Sequence, residues 1–139
     1  MTDTMDCIFC KIIRKEIPAA VVYENDRTLA FLDIMPVNPG HALVVPKEHF
    51  ADFASTPAEL LGDIAAVAQK VAKAATEATE SPAFNIGVNN GHAAGQVVAH
   101  MHLHVMPRHD GDGYDLWHGK AYGKGEMERV AEAMRKSLG

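Results

Sequence analysis

"VVAHMHLHVMPR", residues 97–108, places histidine at every second position: His100, His102 and His104. Successive side chains of a strand point to opposite faces. The spacing predicts a strand with three imidazoles on one face and Met101, Leu103 and Val105 turned into a core on the other. A solvated face tolerates any polar residue, and three identical titratable rings serve no packing need. The repetition therefore points to chemistry. Alternating histidines can chelate a metal with one open position, giving a hydrolytic zinc site. Alternatively, one neutral imidazole attacks phosphorus while its neighbours orient it and donate protons. The second reading needs phosphate-holding donors nearby. The preceding segment "NNGHAAGQ", residues 89–96, supplies a loop in which Gly91 and Gly95 permit close backbone approach and clustered N–H groups can face an anion.

Outward from this strand, the periodicities divide the chain. Residues 7–16, "CIFCKIIRKE", carry a short helical stripe at Ile8, Phe9, Ile12 and Ile13, stopped by Pro18. "VVYE" and "TLAFLD", residues 21–24 and 28–33, read as strands joined by a turn at Asn25 and Asp26; residues 41–46, "HALVVP", form a third. Thr56, Pro57 and Glu59 predict a capped helix start, and Leu60, Leu61, Ile64, Val67, Ala68 and Val71 share one face of a helix reaching about Thr79. Residues 83–88 are a fourth strand and the histidine segment a fifth. A last helix over 125–138 aligns Met127, Val130, Met134 and Leu138. Strands clustered around one long helix give an α+β class with a mostly antiparallel sheet.

With 139 residues, 47% apolar and 22% charged, the chain fits one globular domain over 1–139, with a loose end at 1–6 and a tail over 108–139. A net charge of −5 without a basic run argues against nucleic acid as a partner. No segment approaches the 18 or more apolar residues of a membrane span, and "MTDTMDCIFC" lacks a signal peptide's basic-then-apolar layout. The expected location is the cytoplasm, with Cys7 and Cys10 reduced. Their C-x-x-C spacing admits a thioredoxin-like redox pair, though no strand precedes it to set one. It also admits two buried free thiols, or half a zinc site needing two further ligands, for which His49 and His100 are candidates. His92, His109 and His118 fall in loops, solvated or beside substrate.

"HMHLHVMPR" resembles the His-x-His-x-His signature of the histidine triad family of nucleotide hydrolases and transferases. "IFCKIIRKEIPA", "YENDRTLAFLDIMPVNPGHALVVPKEH" and "NNGHAAGQVVAHMHLHV" resemble its Hint branch in order and spacing, so the likeness covers roughly residues 7–107. The resemblance implies a five-stranded antiparallel sheet and a homodimer whose sheets join edge to edge. It implies hydrolysis at the α-phosphate of a purine nucleotide. His102 is then the nucleophile, His104 the hydrogen-bonding partner of the phosphate or leaving group, and His41 a support of that network. Asn89, Gly95 and Gln96 match the phosphate-holding positions, and Asp33 matches the residue that binds both ribose hydroxyls. Ile8, Phe9, Phe31, Ile34 and Leu43 match the base pocket. Relatives bind structural zinc through two such cysteines and two histidines, here Cys7, Cys10, His49 and His100, which leaves His102 free to attack. Val97 departs from the pattern, since relatives often carry serine or threonine there. Phosphoramidates or adenylates are the implied substrates. The longer tail admits dinucleoside polyphosphates, and the valine admits a nucleotide-binding regulatory module with little turnover.

Overall fold

Asn25 builds the first hairpin. Its Oδ1 accepts the N–H groups of Arg27 and Thr28 at 3.0 and 2.8 Å and the Thr28 hydroxyl at 2.8 Å, closing the turn between β1 (Val21–Glu24) and β2 (Thr28–Leu32). In the computed structural model, which describes residues 4–139, β3 (Ala42–Pro46), β4 (Ala83–Gly87) and β5 (Leu103–Arg108) complete one sheet. Every strand pair is antiparallel, in the order β1-β2-β3-β5-β4. The chain leaves β3, crosses the sheet as a helix, forms the far edge at β4, and returns as β5 between β3 and β4. This return makes the histidine-bearing strand an interior one, paired on both sides.

The two faces of the sheet carry different layers. The long helix α2 (Ala58–Thr79) packs over β5, β3 and β2, burying Leu60, Ile64, Val67, Ala68, Val71 and Ala72 against Ala30, Ala42, Val44, Met101, Leu103 and Val105. Each large aliphatic side chain so buried contributes about 1.5–3 kcal/mol. Leu61 only flanks this core. The short helix α1 (Ile8–Ile13) covers the opposite face, where Cys7, Phe9, Cys10 and Ile12 meet Leu29, Phe31, Leu43 and Val45. Register pairs Phe31 with Leu43 and Leu43 with His104, so the site-bearing row lies on the α1 face.

Several boundaries differ from the sequence expectation. Thr56 does not cap α2: its hydroxyl donates to the Asp52 carbonyl at 2.6 Å, Pro57 occupies the N-cap, and Glu59 reaches Arg27 instead of the helix backbone. α1 ends before Pro18, with Lys15 in a left-handed conformation and the Glu16 N–H bonded to the Lys11 carbonyl. The strand expected from residue 97, directly after the glycine-bearing loop, begins only at Leu103; residues 98–100 bend, which frees His100 to point away from the strand row. Residues 4–6 form a turn, while Met1, Thr2 and Asp3 lie outside the described residues. The final helix α3 (Glu126–Leu138) forms, but it buries no residue, and Met127, Val130, Met134 and Leu138 stay exposed. No helix among the described residues is long and apolar enough to cross a membrane.

Gly40 sits where the loop preceding β3 crosses the end of α2. It has φ +93°, and a Cβ there would meet Thr79 Cγ2 at 3.0 Å and Pro107 Cγ at 3.1 Å. Gly40→Ala is expected to destabilise the fold by about 1–3 kcal/mol, read from denaturant midpoints at constant slope.

Candidate active site and metal centre

Main-chain groups decide which nitrogen of each histidine carries its proton. A neutral imidazole has one donor and one acceptor nitrogen. His102 Nδ1 lies 2.7 Å from the carbonyl oxygen of His100, which can only accept, so His102 is protonated at Nδ1 and its lone pair sits on Nε2. The Val37 N–H donates to His41 Nδ1 at 3.0 Å, so His41 carries its proton on Nε2. That proton is directed to His104 Nδ1 at 3.0 Å, which leaves His104 an Nε2–H donor. The rings of His102 and His104 stand 5.0 Å apart, and Phe9 from α1 closes over His102 edge-on at 5.0 Å.

Burial keeps these rings neutral. It pushes His104 down to about 4, with the neighbouring His102 and His41 adding to the shift and Asp33 opposing it. His102 and His41 are lowered for the same first reason; the bond to the His100 carbonyl and the Asp33 charge partly offset this for His102, and Asp33 alone does so for His41. Asp33 Oδ2 lies 3.7 Å from His41 Nε2, too far for a hydrogen bond, and with His41 neutral the contact is not an ion pair. Asp33 Oδ1 accepts the Met35 N–H at 2.8 Å. The ligand atoms of Asp33, His41 and His104 lie within 4.8 Å of one another, close enough for a metal. The hydrogen bonds do not suit one. With Nδ1 of His41 accepting from Val37, a metal on Nε2 would need the ring stripped of both protons or the Val37 bond broken.

The second cluster has the opposite character. Cys7, Cys10, His49 and His100 bring four ligand atoms within 4.8 Å of one another. His100 Nε2 donates to the Pro46 carbonyl at 2.9 Å, so its Nδ1 lone pair faces inward, 3.5 Å from each sulfur and 3.1 Å from His49 Nδ1. His49 Nδ1 is 3.4 Å from Cys10 Sγ. A tetrahedral zinc ion with bonds of about 2.0–2.1 Å to nitrogen and 2.3 Å to sulfur sets its ligands about 3.3–3.8 Å apart, close to this spacing. Cys7 is also the N-cap of α1 and accepts the Cys10 N–H on its sulfur at 3.4 Å, so one helical turn holds both thiols toward the cluster. Burial, with Cys7 beside it, pushes the Cys10 thiol up to about 11. A buried neutral thiol gains from a cation that takes its proton's place. These residues could hold a metal ion.

The remaining predicted residues are partly assembled. Phe9, Phe31 and Leu43 are buried behind the histidines, Ile8 is half exposed, and Ile34 is 91% exposed at the rim. Asn89 lies beside Gly95, whose added Cβ would sit 3.8 Å from its amide nitrogen. Gln96 is engaged within its loop: Oε1 accepts the Gly91 N–H at 2.8 Å, and Nε2 donates to the carbonyls of Ala51 at 2.7 Å and Val98 at 3.0 Å. It ties the loop together and, in this conformation, offers no free amide to a phosphate. Val97 is 93% exposed. Of the loop histidines, His92 is exposed and His118 is exposed, whereas His109 pairs with Ser81 at 3.1 Å. Sequence reasoning missed Val37, whose contribution is a main-chain N–H that no side-chain identity signals.

The HIT domain family model matches residues 14–111. The chain belongs to the histidine triad (HIT) family. Among its HIT relatives, the protein named adenylylsulfatase HINT3 from Arabidopsis thaliana is 39% identical over 92% of this chain and 64% of its own length. The protein named adenosine 5'-monophosphoramidase HNT1 from Candida albicans is 40% identical over 79% of this chain and 75% of its own. A crystal structure of a Zn-bound histidine triad family protein from Mycobacterium smegmatis superposes with a TM-score of 0.77 at 40% identity, covering 99% of this chain and 100% of that one. The fold of this chain agrees with those likenesses, and its four-residue cluster could hold a metal.

The cluster joins α1 to the end of β3 and the approach to β5. Cys7→Ala is expected to abolish bound zinc, measured as metal per subunit in protein prepared without a histidine tag. It should also lower the melting temperature to the value a chelator produces in the unaltered protein.

Proposed function

We propose that this HIT-family chain is a nucleotidyl hydrolase acting on the α-phosphate of purine nucleotides. The leading substrate class is nucleoside phosphoramidates or adenylates. The observation that carries the reading is the tautomer of His102: its Nδ1–H bond to the His100 carbonyl puts a lone pair on Nε2 of a neutral, buried ring. Attack forms a bond from phosphorus to Nε2 and breaks the bond to the leaving group. A leaving amine departs with a proton supplied by water. Water then attacks the nucleotidyl-His102 phosphorus, breaks the P–N bond, and releases the nucleoside monophosphate. The His104 Nε2–H donates to the phosphate oxygens or leaving group, and His41 holds His104 in that role. Asp33 would take the ribose hydroxyls on its Oδ2 side; Ile8, Phe9, Phe31, Ile34 and Leu43 would take the base; Asn89, Gly95 and the loop around Gln96 would take the phosphate.

The names of the Arabidopsis and Candida relatives, an adenylylsulfatase and an adenosine 5'-monophosphoramidase, support P–O–S and P–N leaving groups. The exposed aromatic tail, with Trp117 96% exposed, favours a second reading in which a second base stacks there and the substrate is a dinucleoside polyphosphate. Turnover of an adenosine phosphoramidate and a diadenosine polyphosphate, assayed side by side, separates the two. Tight nucleotide binding with negligible turnover of both would leave only the regulatory module.

We also propose zinc, bound by Cys7, Cys10, His49 and His100, as a structural cross-link. Thiolate ligands need reducing conditions, which favours the cytoplasm. A homodimer is supported by the open edge at β4, where Phe84 and Ile86 stay about half exposed on the α2 face beside an unpaired strand. Ile86→Glu should shift sedimentation toward monomer.

His102→Ala is expected to lower turnover by several orders of magnitude with nucleotide affinity retained. Near-normal turnover would end the covalent reading. The reactive ring is the neutral one and its pKa is lowered, so the acid limb of kcat/KM should fall below the ordinary imidazole range, with full activity through neutral pH. Val97→Ser is expected to raise turnover on at least one substrate, by less than the about 10²-fold of a well-aligned donor.

A further inference from the structure

Asp112 lies just beyond β5, and its side chain is only 7% exposed. It accepts five hydrogen bonds. Oδ2 takes Arg108 Nε at 2.7 Å, Asn38 Nδ2 at 3.0 Å and the His109 N–H at 3.1 Å; Oδ1 takes Arg108 Nη2 at 3.0 Å and the Tyr114 N–H at 3.1 Å. The Arg108 guanidinium, first among these partners, holds its carboxyl far below the usual carboxylate range. The remaining arms of Arg108 reach Asn85 Oδ1 on β4 at 2.7 Å and the Tyr114 carbonyl at 2.8 Å. Asn38 is thereby pinned, with a further bond from Nδ2 to the Pro107 carbonyl at 2.9 Å.

Asn38 belongs to the loop that carries His41. Its carbonyl accepts the His41 N–H at 3.1 Å, and the residue before it, Val37, supplies the N–H that holds His41 Nδ1. The anchored loop thus fixes the polarity of the chain Val37 N–H to His41 to His104. Without that anchor, His41 can take its proton on Nδ1. His104 Nδ1 must then become the donor, and His104 Nε2 loses its hydrogen. A lone pair, in place of an N–H, would face an anionic phosphate.

We infer that Asn38 and Asp112 are positioning residues: through the loop at 37–41 they lock His41 and His104 as Nε2–H tautomers, so that His104 presents a donor to the substrate phosphate. The tautomer lock is a property of the free protein. Its consequence for turnover rests on the proposed hydrolase reading.

The first test is Asn38→Ala, which leaves the Arg108–Asp112 pair intact; the second is Asp112→Asn, which keeps the shape and removes the charge. Nitrogen-15 NMR of the histidine rings reads the tautomers without substrate. Wild type should show His41 and His104 protonated on Nε2. Both variants should show a mixture in these two rings while His102 keeps its Nδ1–H form. If the hydrolase reading holds, kcat should fall about tenfold with KM nearly unchanged, less than the 10²–10³-fold of deleting a donor outright. Val71→Ala, a core truncation under α2, is the control for general loosening: it should lower the melting temperature and leave the tautomers alone. Wild-type tautomers in both variants, with only the melting temperature lowered, would overturn the inference and leave Asp112 a purely structural knot. Altered tautomers in a protein whose wild type turns over no nucleotide would uphold the lock and overturn the hydrolase reading instead. Should Asp112→Asn fail to fold, Asn38→Ala alone decides.

Discussion

Main-chain hydrogen bonds to imidazole nitrogens are the constraint on which the site depends. The His100 carbonyl fixes His102, the Val37 N–H fixes His41, and the Pro46 carbonyl fixes His100 itself. A free histidine divides its proton between two nitrogens, and each of these bonds removes that choice. Four rings with four assigned lone pairs result: that of His100 toward Cys7, Cys10 and His49, that of His102 free, that of His41 receiving from Val37, and that of His104 receiving from His41. Burial then keeps the rings uncharged, so the assignments persist through neutral pH. His100 is the junction, since its side chain belongs to the cluster of Cys7, Cys10 and His49 and its carbonyl holds His102.

The layers of the fold bring those bonds about. β5 is an interior strand because the chain crosses to β4 before returning, and β3 on its other side supplies Ala42–Pro46 directly after His41. Helix α2 occupies one face, which forces the polar row onto the other, where only the short α1 covers it. α1 is too short to be stable by itself. Its cysteines at the cluster and Phe9 against Phe31 and His102 tie it down.

Period and turn chemistry made most of this architecture legible from residues alone. The alternation of Met101, Leu103 and Val105, the stripe of α2 and the Asn25 turn all stand where the pattern puts them. What the pattern misplaced were ends. A proline and a hydroxyl at residues 56–57 look like a cap, but Thr56 is drawn to Asp52, a contact made in the preceding loop and invisible to a helix template. The histidine segment alternates from residue 97 but pairs as a strand only from Leu103, because strict alternation cannot reveal that residue 100 bends away to meet two sulfurs. In the site, side chains with unusual chemistry were legible and came together: His41 with His104, and Cys7 and Cys10 with His49 and His100. Groups acting through the backbone, such as Val37, left no mark in the sequence. Gln96 shows the reverse case, a side chain whose polar atoms suit a ligand but are occupied by its own loop.

His102 is oriented by a carbonyl, and every amino acid has one. On the proposed reading, the identity of residue 100 would be constrained by a metal at the cluster and not by the His102 ring. A lineage that replaced His100, Cys7 or Cys10 would forfeit the cross-link while retaining, wherever the backbone held its path, the acceptor that sets His102. Under the proposed function, metal binding and catalysis would rest on separate chemical groups of one residue, and selection could relax the first without touching the second.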